Sequence, residues 1–151
     1  YKEEGLYRLS ELGRDVVRKL EDPSAIRLYV SGKMPIKLQK KRQQLVDIFN
    51  EFVDVGDGKI SIQFYDPDSD PQYKKQAERE GVTAQTLNIE GDRSRETVEC
   101  YFGCVLEYLG QKEVFKFLPE PGNLESDMAS ALRKLTSVKA TTVGIYSRDV
   151  N

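Results

Sequence analysis

Two cysteines, three spaced aspartates and three glutamates are the side chains whose types and spacing could do chemistry here. Cys100 and Cys104 are the two thiols of the chain. Thiol redox chemistry needs a low-pKa thiolate, held at a helix N-terminus or in a Cys-x-x-Cys turn. These two are spaced Cys-x-x-x-Cys, and the alternation around them predicts one strand from Val98 to Tyr108. Four residues along a strand place two Cα atoms about 13 Å apart, beyond disulfide reach. Two cysteines also fall short of a zinc site. They read as buried thiols acting as small hydrophobes.

Asp66, Asp68 and Asp70 have the Asp-x-Asp-x-Asp spacing that can open a calcium loop. Such a loop needs glycine at its sixth position and glutamate at its twelfth; Pro71 and Ala77 stand there. Turn and cap duty is the simpler assignment. Glu96, Glu99 and Glu107 could supply a carboxylate pair for hydrolysis, but among 25 acidic residues such neighbours arise by chance. Gly56-Asp57-Gly58 lacks the lysine–serine pair of a phosphate loop. The sequence has no histidine, which removes the commonest general base, histidine-activated nucleophiles and histidine-ligated metals. No residue is therefore assigned a catalytic, cofactor-binding or metal-binding role, and no cofactor is expected.

The elements that would position these side chains follow from periodicity. Length, 151 residues, fits one domain with its own core. A net charge of -2 gives no basic surplus to draw nucleic acid. No apolar run approaches the roughly 20 residues that span a bilayer, and no signal peptide opens the chain. A start at Tyr1 rather than methionine points to a piece of a longer protein.

Residues 1–24 read as a lead-in followed by a helix capped by Ser10, with Leu9, Leu12, Val16 and Leu20 on its apolar side. Ala25–Ser31 is the first strand. A long helix from Lys37 to Asp54 turns Leu38, Leu45, Ile48, Phe49, Phe52 and Val53 inward, and Lys40, Lys41, Arg42, Asp47 and Glu51 to water. Ile60–Tyr65 is the next strand; Ile26, Leu28, Val30, Ile60, Ile62 and Phe64 are expected to be buried against helices. Asp70 and Pro71 start a helix that Gly81 ends. Val82–Ile89 is a short strand, and Val98–Tyr108 turns back into Val114–Leu118. A helix from Leu124 to Leu135 follows. Thr141–Tyr146 reads as a last strand, opening a further module at 139–151.

Without the short extra strand, residues 25–138 run β-α-β-α-β-β-α, the thioredoxin order. The fold class expected is α/β: a thioredoxin-like mixed β-sheet with helices on both faces, plus an extra N-terminal helix. The redox dithiol of that fold lies between the first strand and first helix. Here that place is Ser31-Gly32-Lys33-Met34-Pro35, with no cysteine.

Several short motifs carry a resemblance over nearly the whole chain. They are Leu6-Tyr7-Arg8-Leu9-Ser10, Leu20-Glu21-Asp22-Pro23 before the strand Ile26–Ser31, Ile60–Pro71 with its Asp-Pro end, and Glu80-Gly81-Val82. Phe102–Tyr108, Val114–Leu118 and Leu124–Leu135 continue it. Together they resemble the GldG-like auxiliary components of ABC-type transport systems, which include gliding-motility proteins. The resemblance implies the N-terminal part of the extracytoplasmic region of a membrane-anchored protein, periplasmic in location. Its implied partners are ABC-transporter permease and ATPase subunits or other envelope proteins. It carries over no catalytic residue, so a non-enzymatic interaction module is expected. The alternatives are a periplasmic ligand-binding module for a saccharide or cell-wall fragment, and a thiol-redox or hydrolytic enzyme.

Overall fold

The alternating residues of Ser24–Val30 form the strand on which the domain is assembled. The computed structural model describes residues 8–90 and 95–150, and for 89, 90, 95, 96 and 138–150 the backbone alone. The expected lead-in at 1–5, and residues 91–94 of the polar turn that the sequence places from Glu90 to Arg95, lie outside the described residues. In chain order the elements are α1 (Glu11–Arg18), β1 (Ser24–Val30), α2 (Ile36–Gly56), β2 (Ile60–Tyr65), α3 (Pro71–Glu80), β3 (Gln85–Glu90), β4 (Arg95–Cys100), β5 (Phe102–Tyr108), β6 (Gln111–Phe115) and α4 (Pro121–Val150).

β1 pairs in parallel with β2, setting Ile26 opposite Ile62 and Leu28 opposite Phe64. Its other side pairs antiparallel with β5, which returns through β6. The sheet order is β2-β1-β5-β6. The fold is α/β, a mixed sheet with α1, α2 and α4 on one face and α3 on the other. With β3 and β4 set aside, its connectivity is the β-α-β-α-β-β-α expected from the sequence.

Helix termini follow local chemistry. Asp70 accepts from the backbone N–H of Gln72 at 2.9 Å, Pro71 opens α3, and Gly81 closes it at φ 97°. Ser10 Oγ accepts from Gly13 N at the start of α1. The apolar side of α1 is Val16 and Val17, continued by Leu9 and Leu20 outside the helix. Leu12, expected inward, is 57% exposed, because the inward face of the helix runs through Gly13, Val16 and Val17. In α2, Leu45, Ile48, Phe49 and Phe52 are buried as expected. Glu51 does not face water: it lies 3.7 Å from Arg14 and accepts from Leu9 N, tying α2 to the N-terminal segment.

Two strand expectations are overturned. Val98–Tyr108 is not one strand; it breaks at Tyr101. The fully buried Ser31 takes both backbone groups of Tyr101: Ser31 N donates to Tyr101 O, and Tyr101 N donates to Ser31 Oγ, each at 2.9 Å. β4 therefore leaves the main sheet and pairs with β3 in a two-stranded sheet. Thr141–Tyr146 is not a strand but part of α4. Its β-branched residues prefer strands only weakly, and each residue added to an existing helix gains a hydrogen bond; no proline interrupts the chain after Pro121. Among the described residues, no helix is long and apolar enough to cross a membrane.

Smaller shifts have local causes. β3 starts at Gln85, since Val82 N is committed to Ala77 O at the α3 cap. β6 starts at Gln111, straight after the two-residue turn Leu109-Gly110, both at positive φ. It ends at Phe115, and Leu118 N then bonds Phe102 O. Gly103 allows this crossing, because a Cβ there would run into the carbonyl of Phe115.

Candidate functional site

The side chains singled out by spacing do not converge. Cys100 and Cys104 are both buried and free, in β4 and β5 rather than in one strand. Burial pushes both thiols up, away from the thiolate. Asp66 accepts from Asp68 N and Asp70 from Gln72 N, as turn and cap. Among the described residues, no three His, Cys, Asp or Glu side chains are grouped to hold a metal ion. Glu107 pairs with Arg27, and the Glu96 side chain lies outside the described residues. At the β1–α2 junction, Ser31 holds Tyr101, and Gln39 donates to Met34 O at 2.8 Å.

The structure gathers instead a set that spacing did not reveal. Arg27 and Tyr29 leave β1 on the α3 side. Arg27 meets Glu80 through Nη2 at 2.5 Å and Nε at 2.8 Å, and Glu107 at 2.7 Å. Lys112 adds a contact to Glu80 at 3.1 Å. Tyr29 donates to Glu80 and accepts from Gln76. Burial pushes the Glu80 carboxyl up, but hydrogen bonds from Arg27, Tyr29 and Lys112 outweigh it and hold it at about 2. Burial and the bond to Glu80 push Tyr29 up to about 12. The bond to Glu80 raises Arg27 further, against burial. Every charge here is answered by a neighbour, so the cluster fastens the end of α3 to the sheet centre. One signal was available: a charged residue inside the alternation of a central strand demands a partner.

Open grooves flank the first half of α2. The larger, about 550 Å³, lies between α2, β3 and the β6–α4 connection and is lined by Lys37, Lys40, Gln44, Leu87, Asn88 and Phe117. Lys37 and Lys40 have no ion pair among the described residues. Lys41, expected in water, is only 12% exposed; its Nζ lies 2.9 Å from Glu120 and 4.8 Å from the Phe117 ring centroid. Long basic side chains lay their stems on apolar surface in this way.

The second groove, about 340 Å³, runs between α2 and β2 and is lined by Val30, Gly32, Arg42, Val46, Phe64 and Asp66. Beneath it is an apolar slot of about 30 Å³ reaching Leu45, Phe49 and Phe102. Phe64, expected in the core, is 54% exposed here. It stands on the helix-facing side of the sheet, but β2 is the edge strand, and the cover from α2 ends before it. Arg42, expected on the wet side of α2, is half-buried along this groove.

No curated protein matches the chain. A family model described as a domain of unknown function (DUF7088) matches residues 3–107, from before α1 through β5. With that match covering more than half of the chain, the protein belongs to the DUF7088 family.

Proposed function

We propose that the domain is a docking module of a membrane-anchored auxiliary protein of an ABC-type transport system, held on the extracytoplasmic side. The observation that carries docking is the contrast around α2. The polar cluster at Arg27 and Glu80 is spent on internal contacts, while the large apolar side chain of Phe64 borders an open groove and that of Ile36 is exposed at the start of α2. Exposed apolar surface rimmed by charge marks interaction sites. The transport assignment rests on the GldG-like motifs from Leu6 to Leu135, which run past the C-terminal end of the DUF7088 match. Neither cysteine is accessible for exchange, which favours docking over thiol chemistry.

The test is co-purification of the full-length parent with its permease and ATPase, with and without this domain. Loss of the complex on deletion is expected; an intact complex with intact transport would overturn the reading. One observation favours a ligand-binding role: the 550 Å³ groove has the size of a small-ligand site, and Gln44, Asn88 and Phe117 offer amides and a ring. A rise in melting temperature with muropeptides or short saccharides, abolished by Asn88→Leu, would move that role ahead.

A further inference from the structure

We infer that the free edge of β2 accepts an extended segment of a partner polypeptide as an added strand, with an apolar side chain and an acidic one on the same face recognised by Phe64 and Arg42. The inference deepens the docking reading and rests on it. Ser24 N donates to Lys59 O, and Ser24 lies opposite Ile60. In a parallel ladder this turns Lys59, Ser61, Gln63 and Tyr65 toward β1. Ile60, Ile62 and Phe64 then direct their N–H and C=O groups outward. Among the described residues no strand pairs with that edge. A free edge beside an exposed apolar side chain is an aggregation hazard that proteins blunt or cover. β2 carries no charge or proline within Ile60–Tyr65 to blunt it.

The groove specifies what would cover the edge. A strand laid along β2 sends alternate side chains toward α2, between Phe64 and Val46. The slot beneath admits a small branched apolar group. Arg42 borders the same groove and has no ion pair among the described residues. The acidic side chain that shares this groove, Asp66, already accepts from Asp68 N. Charge complementarity therefore calls for an aspartate or glutamate on the incoming strand, two residues from the one in the slot and on the same face. The other edge, β6, differs: it bears Lys112 and Glu113, which are engaged by Glu80 and Lys134.

The probe is a set of fluorescein-labelled octapeptides of alternating valine and threonine, with one aspartate placed at each position in turn and asparagine counterparts. Polarisation titrations are expected to find a preferred aspartate position, bound about ten-fold more tightly than its asparagine counterpart, as a charge-assisted bond would give. Arg42→Glu should abolish that preference, and Phe64→Glu should abolish binding. Hydrogen exchange at the Ile62 and Phe64 amides should slow on binding, while β6 amides keep their rates. The inference is overturned if no octapeptide binds, if Arg42→Glu leaves the preference intact, or if those amides keep exchanging in the complex. It is also overturned if they slow with protein concentration alone, since a second copy would then occupy the edge. The two levels separate cleanly. Failure of every octapeptide with loss of the transporter complex on domain deletion leaves docking standing without strand addition. Octapeptide binding with an intact complex on deletion does the reverse.

Discussion

Alternate residues of β1 enter different chemistry on the two sides of the sheet. Ile26 and Leu28 enter a dry core with Phe49, Phe52, Leu124, Met128 and Leu132, under three helices. Arg27 and Tyr29 enter a cluster with Glu80, Gln76 and Glu107, under the ten residues of α3. In α3 the buried residue is Ala77, so that helix has little apolar area with which to hold itself down. Directional bonds at its C-terminal end take that role. A broad helical cover can rely on burial, which is roughly proportional to area and indifferent to direction. A short one needs contacts that define where it sits, and these hold only while every member is satisfied.

Truncation separates the two faces. Phe49→Ala should cost about 3–5 kcal/mol in chemical denaturation, because the ring is fully buried and its cavity cannot collapse under three helices. A loss below about 1 kcal/mol would break the picture of a tightly packed helix face. Glu80→Ala should cost about 3 kcal/mol by leaving Arg27 charged, buried and missing its main partner. The double variant Arg27→Met with Glu80→Leu should recover most of that loss, because apolar replacements need no desolvated partner. If it recovers nothing, the cluster does more than satisfy its own charges.

Acid sharpens the comparison further. The Glu80 carboxyl titrates near 2 in the folded chain against an ordinary value of 4.5. As pH falls the unfolded chain takes the proton first, so this contribution is complete above about 4.5 and is lost between there and about 2. Glu80→Gln should flatten that limb of a stability–pH curve, while Phe49→Ala should lower the curve evenly. At the other extreme Tyr29 keeps its proton up to about 12, against 10 when unfolded, so stability falls as pH rises through that range. The smallest effect is expected at the start of α3. Asp70→Ala should cost about 1 kcal/mol as a lost cap, with no change in melting temperature on adding calcium. A calcium-dependent rise in the parent chain would assign the Asp66–Asp70 loop to metal instead.

The helices were legible where a local rule decided them. Asp70, Pro71 and Gly81 delimit α3 by capping chemistry that needs no distant partner. The stripe Leu45, Ile48, Phe49 and Phe52 marks the inner side of α2 by period alone. The break at Tyr101 was hidden because its cause is Ser31, seventy residues earlier and fully buried. The candidate site was less legible than the fold. Phe64 alternates faultlessly with Ile60 and Ile62, and period cannot tell that β2 has a neighbour on one side only. Lys41 and Glu51 lie on a helix face that reads as wet, and their cover comes from Glu120, Phe117 and the N-terminal segment.

The caps of α3 and the inward stripe of α2 were settled by the sequence itself, since backbone sterics and side-chain spacing act within a few residues. The absence of histidine and of a junction cysteine likewise bounded the chemistry at that level. Which strand became an edge, which lysine was covered and which arginine found two carboxylates were decided only in the folded chain. Those outcomes depend on contacts between residues far apart in sequence, such as Arg27 with Glu80 and Glu107. A one-dimensional pattern records how often a residue type recurs, and burial is decided by what arrives from elsewhere to cover it.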